Sequence, residues 1–499
     1  MNKNKIEEKI EEILRNLDNV NVDVREKAAS NLEDIKYDLL KYVNLSLLKK
    51  VVPKLMEKLD DQSGKVRYYI ACTLESISSK LPELFKDKIP KLIEKLDEFY
   101  EKVYRRESYY TESHSALYYR DPREKARDHI AGVLENVVKK FPELFKDKIV
   151  ELMKKLNRPC KEPYRIYDRN SHDEVYFPNR CQHARYWMSQ ILKNVSKNFP
   201  ELFKDEIPKL IKLLHDSNDE VRINAAYILG NIGEKYPELI KDAIPRLMEH
   251  IYGYEDICYS ALVALWKVAE KYIDVFKDKI DDLIERLEWF STSEDIPETI
   301  ADLLHIIWKK YPKLVKEKIK KLGKDLDECK VAALRAIAYE HPELIFELIP
   351  KLKKALNDPY ELIRERATVA LGNIGMKYPQ LIEDIIPKLV ELLVDEDPDV
   401  REVTYNVLDD LIRKQPKTIE KIIPKLKEIT LRVITETNTF EEYYLENLTR
   451  LLKQTIIKKD PRAAKDLISK LTEKLNHPSE EVRKRATETL KEIGEAKNN

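Results

Sequence analysis

A short phrase built on Pro-Glu-Leu recurs along the chain, and this self-similarity limits the fold more than any other property. It reads LPELFKDKIP from Leu81, FPELFKDKI from Phe141, FPELFKDEIP from Phe199, YPELIKDAIP from Tyr236, HPELIFELIP from His341 and YPQLIEDIIP from Tyr378. Degenerate copies begin at Tyr272, Tyr311, Gln415 and Asp460. The two prolines keep a fixed distance, as in Pro82 to Pro90 and Pro416 to Pro424, so the phrase is a rigid unit. A pattern returning at such a period marks an array of small supersecondary units, each unable to bury its own apolar face and therefore stacked on its neighbours.

Around the phrase the apolar spacing is helical. After the second proline, apolar residues recur at i, i+3, i+4 and i+7: Val52, Leu55, Met56, Leu59; Ile207, Leu210, Ile211, Leu214; Ile386, Leu389, Val390, Leu393. A proline at the start of this segment, helix A, suits the first turn, where its missing N–H removes no bond. Beyond the next turn stands a Val or Ile followed by Arg: Val24-Arg25, Val66-Arg67, Val221-Arg222, Ile363-Arg364, Val400-Arg401 and Val482-Arg483. A second helix, B, follows with small residues such as Ala225 and Ala226, which allow close approach by a neighbour. Helix A starts fall near Glu11, Pro53, Pro90, Val150, Pro208, Pro245, Asp281, Lys320, Pro350, Pro387, Pro424 and Ser469, which makes twelve pairs.

Proline in helix A, an Asp in the turn (Asp61, Asp216, Asp358, Asp395) and Val-Arg opening helix B together resemble HEAT repeats, and the likeness runs over nearly the whole chain. The resemblance implies an all-α fold, a right-handed αα superhelix of about twelve armadillo-like repeats with a concave surface for partners. It also implies that the turn Asp and the helix B Arg form a structural ladder rather than an acid–base pair, since a pair repeated in unit after unit does not mark one active site.

Composition agrees with this. A chain of 499 residues is longer than one compact core, and only 9 glycines with 36% charged residues suit long solvated helices. The abundance of Lys, Glu and Ile is thermophile-like. The 90 basic and 90 acidic residues cancel, which excludes a globally polybasic nucleic-acid binder. The segment Met1 to Glu12 is too charged for a signal peptide and no apolar run is long enough to span a bilayer, so the expectation is a cytoplasmic protein without membrane contact. Five cysteines (Cys72, Cys160, Cys181, Cys258, Cys329) form no CxxC pair, and their odd number argues against an extracellular disulfide framework.

No catalytic motif emerges. There is no Walker-type loop, no GxGxxG and no His-Glu dipeptide of the kind a di-iron HEAT hydroxylase requires; Glu249-His250 and Glu340-His341 have the reverse order. The reading is therefore non-enzymatic and without cofactor, with an enzyme or lyase of HEAT type as a minor alternative that rests on precedent in the repeat class.

Departures from the repeat carry more information than the repeat, because insertions map to loops and loops carry function. Two consecutive units are lengthened between helices A and B, at 97–121 in repeat 3 and 157–185 in repeat 4. In the first, Leu96, Phe99, Tyr100, Val103 and Tyr104 continue helix A before an aromatic stretch. The candidate partner-binding residues are Tyr104, Arg105, Arg106, Tyr109, Tyr110, Tyr118, Tyr119 and Arg120, then Tyr164, Arg165, Tyr167, Arg169, Tyr176 and Arg180. Tyr and Arg suit interface hot spots and base stacking alike. The first insertion has four basic and six acidic residues and the second six and four, which tempers a nucleic-acid reading. The second also holds Cys160, His172, Cys181 and His183, weak candidates for zinc ligands, with a Cys160–Cys181 bridge as an alternative. A lysine run from Lys309 to Lys324 offers phosphate contact or a merely solvated face. Repeat 11 is also longer, and Phe440, Tyr443 and Tyr444 in it read as core.

The function expected from these features is a protein-interaction scaffold. The alternative is a nucleic-acid-associated solenoid, similar to HEAT proteins of chromosome organisation and to HEAT-like DNA glycosylases. No feature identifies the partner or sets an oligomeric state.

Overall fold

A computed structural model describes residues 3–42, 45–98, 122–157, 164–167, 174–177, 180–290, 293, 295–415, 419–435, 448–453, 455 and 460–495, with side chains left out at some of these, including both short strands. The chain divides into two compact units, Met1–Val268 and Ala269–Asn499.

Helices A and B alternate through both. In the first unit the A helices are Lys3–Asn16, Leu45–Lys58, Ile89–Glu98, Ile149–Leu156, Ile207–Leu213 and Ile244–His250. The B helices are Val22–Asp34, Gly64–Lys80, Pro122–Lys140, Arg180–Asn198, Asp219–Lys235 and Glu255–Ala269. In the second unit the A helices are Ile280–Trp289, Pro312–Lys320, Ile349–Ala355, Ile386–Glu391, Ile419–Thr435 and Pro461–Lys474. The B helices are Asp295–Lys310, Glu328–Glu340, Glu361–Lys377, Pro398–Lys414 and Glu480–Glu495, and 448–453 stands in the B position of repeat 11.

The recurring phrase is a 3-10 segment that delivers the chain into helix A, as at Pro82–Lys88, Pro142–Lys148, Pro200–Glu206, Pro237–Ala243 and Pro342–Leu348. Its first proline occupies the first turn, where no N–H is needed. Its fourth apolar position drives into the core: Phe85, Phe145, Phe203, Ile240, Phe276, Ile345 and Ile382 are all fully buried. Truncating one such Phe to Ala costs about 3–5 kcal/mol through lost contact and residual cavity. The second proline starts helix A where the phrase is intact, one residue after Ile89, Ile207, Ile244, Ile349 or Ile386.

Four expectations need correction. Helix A of repeats 8 and 12 begins at Pro312 and Pro461, about two turns before the expected starts near Lys320 and Ser469, since the entry segment itself is helical there. Pro53 and Pro424 lie inside Leu45–Lys58 and Ile419–Thr435, because these repeats lack the Pro-Glu-Leu-Phe segment and the chain before the proline is already helical. Helix A of repeat 1 begins at Lys3, a turn or more before the expected start near Glu11, since Ile6 and Ile10 extend its buried stripe. Arg180 to Arg185, counted in the second insertion, open helix B of repeat 4.

That last shift gives Arg185 a structural place. Its guanidinium donates to Asp216 Oδ1 at 3.0 Å and to the Leu156 carbonyl at 2.7 Å. Arg25 pairs with Asp61 at 2.9 Å, and Arg364 pairs with Asp395 at 2.6 and 3.0 Å. In each case the Arg of one repeat reaches the turn Asp of the next. The same Arg side chains hold carbonyls of their own turn, as Arg364 does at Asp358 and Pro359. The Asp carboxylates also accept the backbone N–H two residues on, at Ser63, Asn218 and Asp397. The ladder therefore fixes turns rather than doing chemistry. Ser63, Asn218, Asp327 and Asp397 then cap helix B by accepting from its first-turn N–H groups.

Successive B helices pack closely. A Cβ at Gly230 would lie 2.9 Å from Ala264 Cα, so only glycine admits that approach. Polar pairs cross the same seams: Asn136 donates to Ser78 Oγ at 2.9 Å, Asn224 to Ser189 Oγ at 2.8 Å and Asn231 to Ser196 Oγ at 2.9 Å. Among the described residues no helix is long and apolar enough to cross a membrane.

Candidate interaction surface

The inserted segments lie in successive A–B connections of the first unit and run directly into helices Pro122–Lys140 and Arg180–Asn198. Tyr164–Tyr167 (β1) and Glu174–Phe177 (β2) form an antiparallel hairpin, pairing Tyr164 with Phe177, Arg165 with Tyr176, Ile166 with Val175 and Tyr167 with Glu174. Among the described residues this hairpin is a local departure from helix. Of the candidate residues, Tyr164, Arg165 and Tyr167 stand on β1, Tyr176 on β2 and Arg180 at the start of helix B. Tyr104, Arg105, Arg106, Tyr109, Tyr110, Tyr118, Tyr119, Arg120 and Arg169 lie outside the described residues. So do Cys160 and His172, the extension of helix A through Phe99 and Val103, and Phe440, Tyr443 and Tyr444. Cys181 and His183 fall in the first turn of helix B of repeat 4. Cys72 and Cys258 are buried thiols outside any disulfide and Cys329 is an exposed one.

The B helices of repeats 2–4 carry half-buried aromatic and imidazole side chains at the first positions after the opening Arg. Tyr68 and Tyr69 follow Arg67, with ring centroids 5.1 Å apart. Tyr68 reaches His129 of the next repeat at 5.4 Å. His129 Nδ1 lies 2.5 Å from Glu75 Oε2. Gly132 makes room for that carboxylate, since a Cβ there would fall 2.0 Å from Glu75 Oε1. Tyr186 and Trp187 follow Arg185 at a ring distance of 4.8 Å, and Lys193 Nζ stands 5.2 Å from the Tyr227 ring. Burial pushes the Tyr68 and Tyr186 hydroxyls up and the Lys193 ammonium down from their ordinary values. These side chains are thus partly desolvated, which suits aromatic and hydrogen-bonded contact. Sequence reasoning missed this row. Its signal was the aromatic pair after the ladder Arg, in Arg67-Tyr68-Tyr69 and Arg185-Tyr186-Trp187.

The lysine run sits on a different kind of surface. Lys310 pairs with Asp274 at 2.6 Å, Lys316 with Glu347 at 3.8 Å, and Lys318 and Lys321 both with Asp281. Tyr311 also donates to Asp274. The Lys318 contact holds the Asp281 carboxyl below its ordinary value, and the contacts with Lys310 and Tyr311 do the same for Asp274. Four of the eight lysines thus face carboxylates more than 30 residues away in the chain.

Stacked A/B pairs with one proline-led entry segment and an Arg–Asp rung between turns define an α-solenoid. Residues 207–236 match the family model described as HEAT repeat, and residues 329–491 match that of the non-SMC mitotic condensation complex subunit 1. Both units are built of helix pairs that resemble HEAT repeats. The fold of the chain is shared with the Kap95:Nup1 complex structure (TM-score 0.58, 11% identity, 98% of this chain and 62% of that one) and with importin beta (0.54, 11%, 97% and 64%). Yeast importin-beta aligns with a TM-score of 0.51 at 11% identity, over 98% of this chain and 62% of that one. The chain spans less than two thirds of the length of these solved structures. A sequence search of curated proteins finds no match.

Proposed function

We propose that the chain is a non-catalytic scaffold that holds a protein partner on the B helices of repeats 2–5, together with the inserted segments 97–121 and 157–185. The observation that carries this reading is the row Tyr68, His129, Tyr186 and Trp187, half-buried one or two residues after the opening Arg of helix B in three consecutive repeats. Aromatic side chains bury large area at small entropic cost, so a preformed row of them favours protein contact. The condensin-subunit likeness over 329–491 and the partner-bound Kap95:Nup1 structure support membership of a multiprotein assembly.

The nucleic-acid alternative draws on the Tyr/Arg insertions and on Lys309 to Lys324, and the carboxylates facing Lys310, Lys316, Lys318 and Lys321 weaken the second of these supports. Affinity capture from native extract, run in parallel with the wild-type chain and a Tyr68→Ala/Tyr186→Ala variant, tests the proposal. A partner set retained at raised salt and lost from the variant supports scaffolding. Equal capture by both chains counts against this surface, and steeply salt-dependent retardation of DNA or RNA in a gel shift favours the alternative.

A further inference from the structure

The second unit contains a cluster that no repeat rule requires. Asp302 and His305 stand one turn apart on helix Asp295–Lys310, and His341 ends helix Glu328–Glu340. Glu343 follows His341 across the rigid Pro342. His305 Nδ1 lies 3.1 Å from Glu343 Oε1, and His341 Nδ1 lies 3.5 Å from the same oxygen. His341 Nε2 meets Asp302 Oδ1 at 2.8 Å. One donor atom from each of His305, His341 and Glu343 lies within 4.8 Å of the others.

We propose that His305, His341 and Glu343 bind a late first-row divalent cation, Zn2+ in particular, with Asp302 as the carboxylate that orients His341. Around a tetrahedral ion with bonds of about 2.0–2.1 Å, neighbouring ligand atoms stand about 3.3–3.4 Å apart, and the two nitrogen-to-oxygen distances bracket that value. The approach of His305 Nδ1 to Glu343 is close but misaligned for a hydrogen bond, which leaves this buried nitrogen without a hydrogen-bond partner. A carboxylate on the far nitrogen of a ligating histidine is the usual outer contact that fixes its ring and raises its basicity. Two imidazoles and one carboxylate form a borderline N/O donor set that favours Zn2+, Co2+ or Ni2+ over Mg2+ and Ca2+, which take oxygen ligands.

The two rings now stack, with centroids 3.9 Å apart and planes 8° from parallel, so their in-plane lone pairs run side by side. Cation entry therefore requires one ring to tilt. Trp308, 5.6 Å from His305, is placed to report that movement by fluorescence.

The test is calorimetric titration of the chelator-stripped full chain with Zn2+, with Co2+ absorption as the second readout. The expected result is one tight equivalent and a Co2+ ligand-field spectrum free of thiolate charge-transfer bands. His305→Gln and Glu343→Gln each weaken binding well over tenfold, and Asp302→Asn weakens it about tenfold. Cys160→Ser/Cys181→Ser leaves this equivalent unchanged, which separates it from the cysteine-containing insertion. Absence of saturable Zn2+ binding overturns the proposal, as does binding that Mg2+ matches, that His305→Gln leaves intact, or that shows thiolate bands. The Co2+ spectrum of the wild-type chain decides the matter even where a variant fails to fold.

Discussion

Two surfaces of the molecule differ in how they use polar side chains: the lysine run from Lys309 to Lys324, which the sequence offered second after the Tyr/Arg insertions, and the aromatic row on the B helices of repeats 2–4. In the first, charge is committed to the array: Lys310 meets Asp274 of the entry segment 36 residues back, and Lys318 meets Asp281 one repeat earlier, 37 residues back. A stacked array brings such residues together automatically, so a cation in one unit finds an anion of the last. The turn Arg and Asp residues do the same where they are buried. The aromatic row of repeats 2–4 stays half-buried. In a periodic protein, a charge run is often part of the seam, whereas an aromatic row next to an interruption is the better mark of a binding face.

The buried rung gives the largest effect by which this contrast can be broken. The side chains of Arg364 and Asp395 are 7% and 9% exposed, so Arg364→Ala strands a carboxylate away from water and releases the Asp358 and Pro359 carbonyls. The expected loss is about 3 kcal/mol, seen as a lower denaturant midpoint for the second unit. Partner capture through the first unit should be unchanged. A neutral Arg364→Ala would mean that turn charge is not committed to the fold.

Next comes the aromatic row itself. Tyr68→Ala/Tyr186→Ala is expected to weaken partner binding by at least about 2 kcal/mol, roughly thirtyfold, if these rings are anchors. Binding should be measured on a purified partner by calorimetry and repeated at two salt concentrations. Unchanged affinity would place the binding face elsewhere and remove the contrast.

The fold was readable because periodicity acts at every level at once. The prolines, the buried Phe85 position and the Val-Arg dipeptide each report local geometry, and the repeat makes each observation many times over. What escaped notice depends on seams between repeats. Nothing in the sequence near Lys318 announces Asp281, and His305 and His341 are 36 residues apart, joined only when repeats 7 and 8 stack. His341 was visible as a substitute for the Phe or Tyr that begins other copies of the phrase, but its partner was not. Arg185 was misassigned for a related reason: Ala184 stands where Val or Ile precedes the Arg elsewhere, so the start of helix B was concealed.

A smaller effect should follow from the exposed lysine pairs. Lys310→Ala/Lys318→Ala removes contacts at the surface, where ion pairs contribute little. The unfolding midpoint should move much less than for Arg364→Ala, and its shift should shrink further as salt rises. Retardation of DNA should be weak in wild type and variant alike. Loss of strong DNA binding in a Lys309→Ala/Lys313→Ala/Lys320→Ala/Lys324→Ala variant would show that the other four lysines of the run form a phosphate site after all.

The smallest effect tests what happens where a rung is missing. Repeat 6 has Ile251-Tyr252-Gly253-Tyr254 at the turn and no Asp, so Arg222 turns instead to Asp219 and the Asp216 carbonyl of its own repeat. Nearby, His250 lies with its ring 6.1 Å from that of His215. Burial, with the charge of Arg222 and of His215 adding to it, pushes the His250 imidazole below its ordinary value of 6.5, while Glu249 and the Leu214 backbone oppose the shift. The unfolded chain therefore takes up this proton more readily than the folded one, and stability falls as pH drops through the unfolded value toward the folded one. The melting temperature should decline between about pH 7.5 and about pH 5.5, and His250→Gln should flatten part of that slope. Replacing Tyr252 with Asp should sharpen the contrast further: a carboxylate at the turn would draw Arg222 into a rung, offset its field at His250 and reduce the same slope without removing the histidine. A slope untouched by either change would show that the missing rung has no electrostatic consequence.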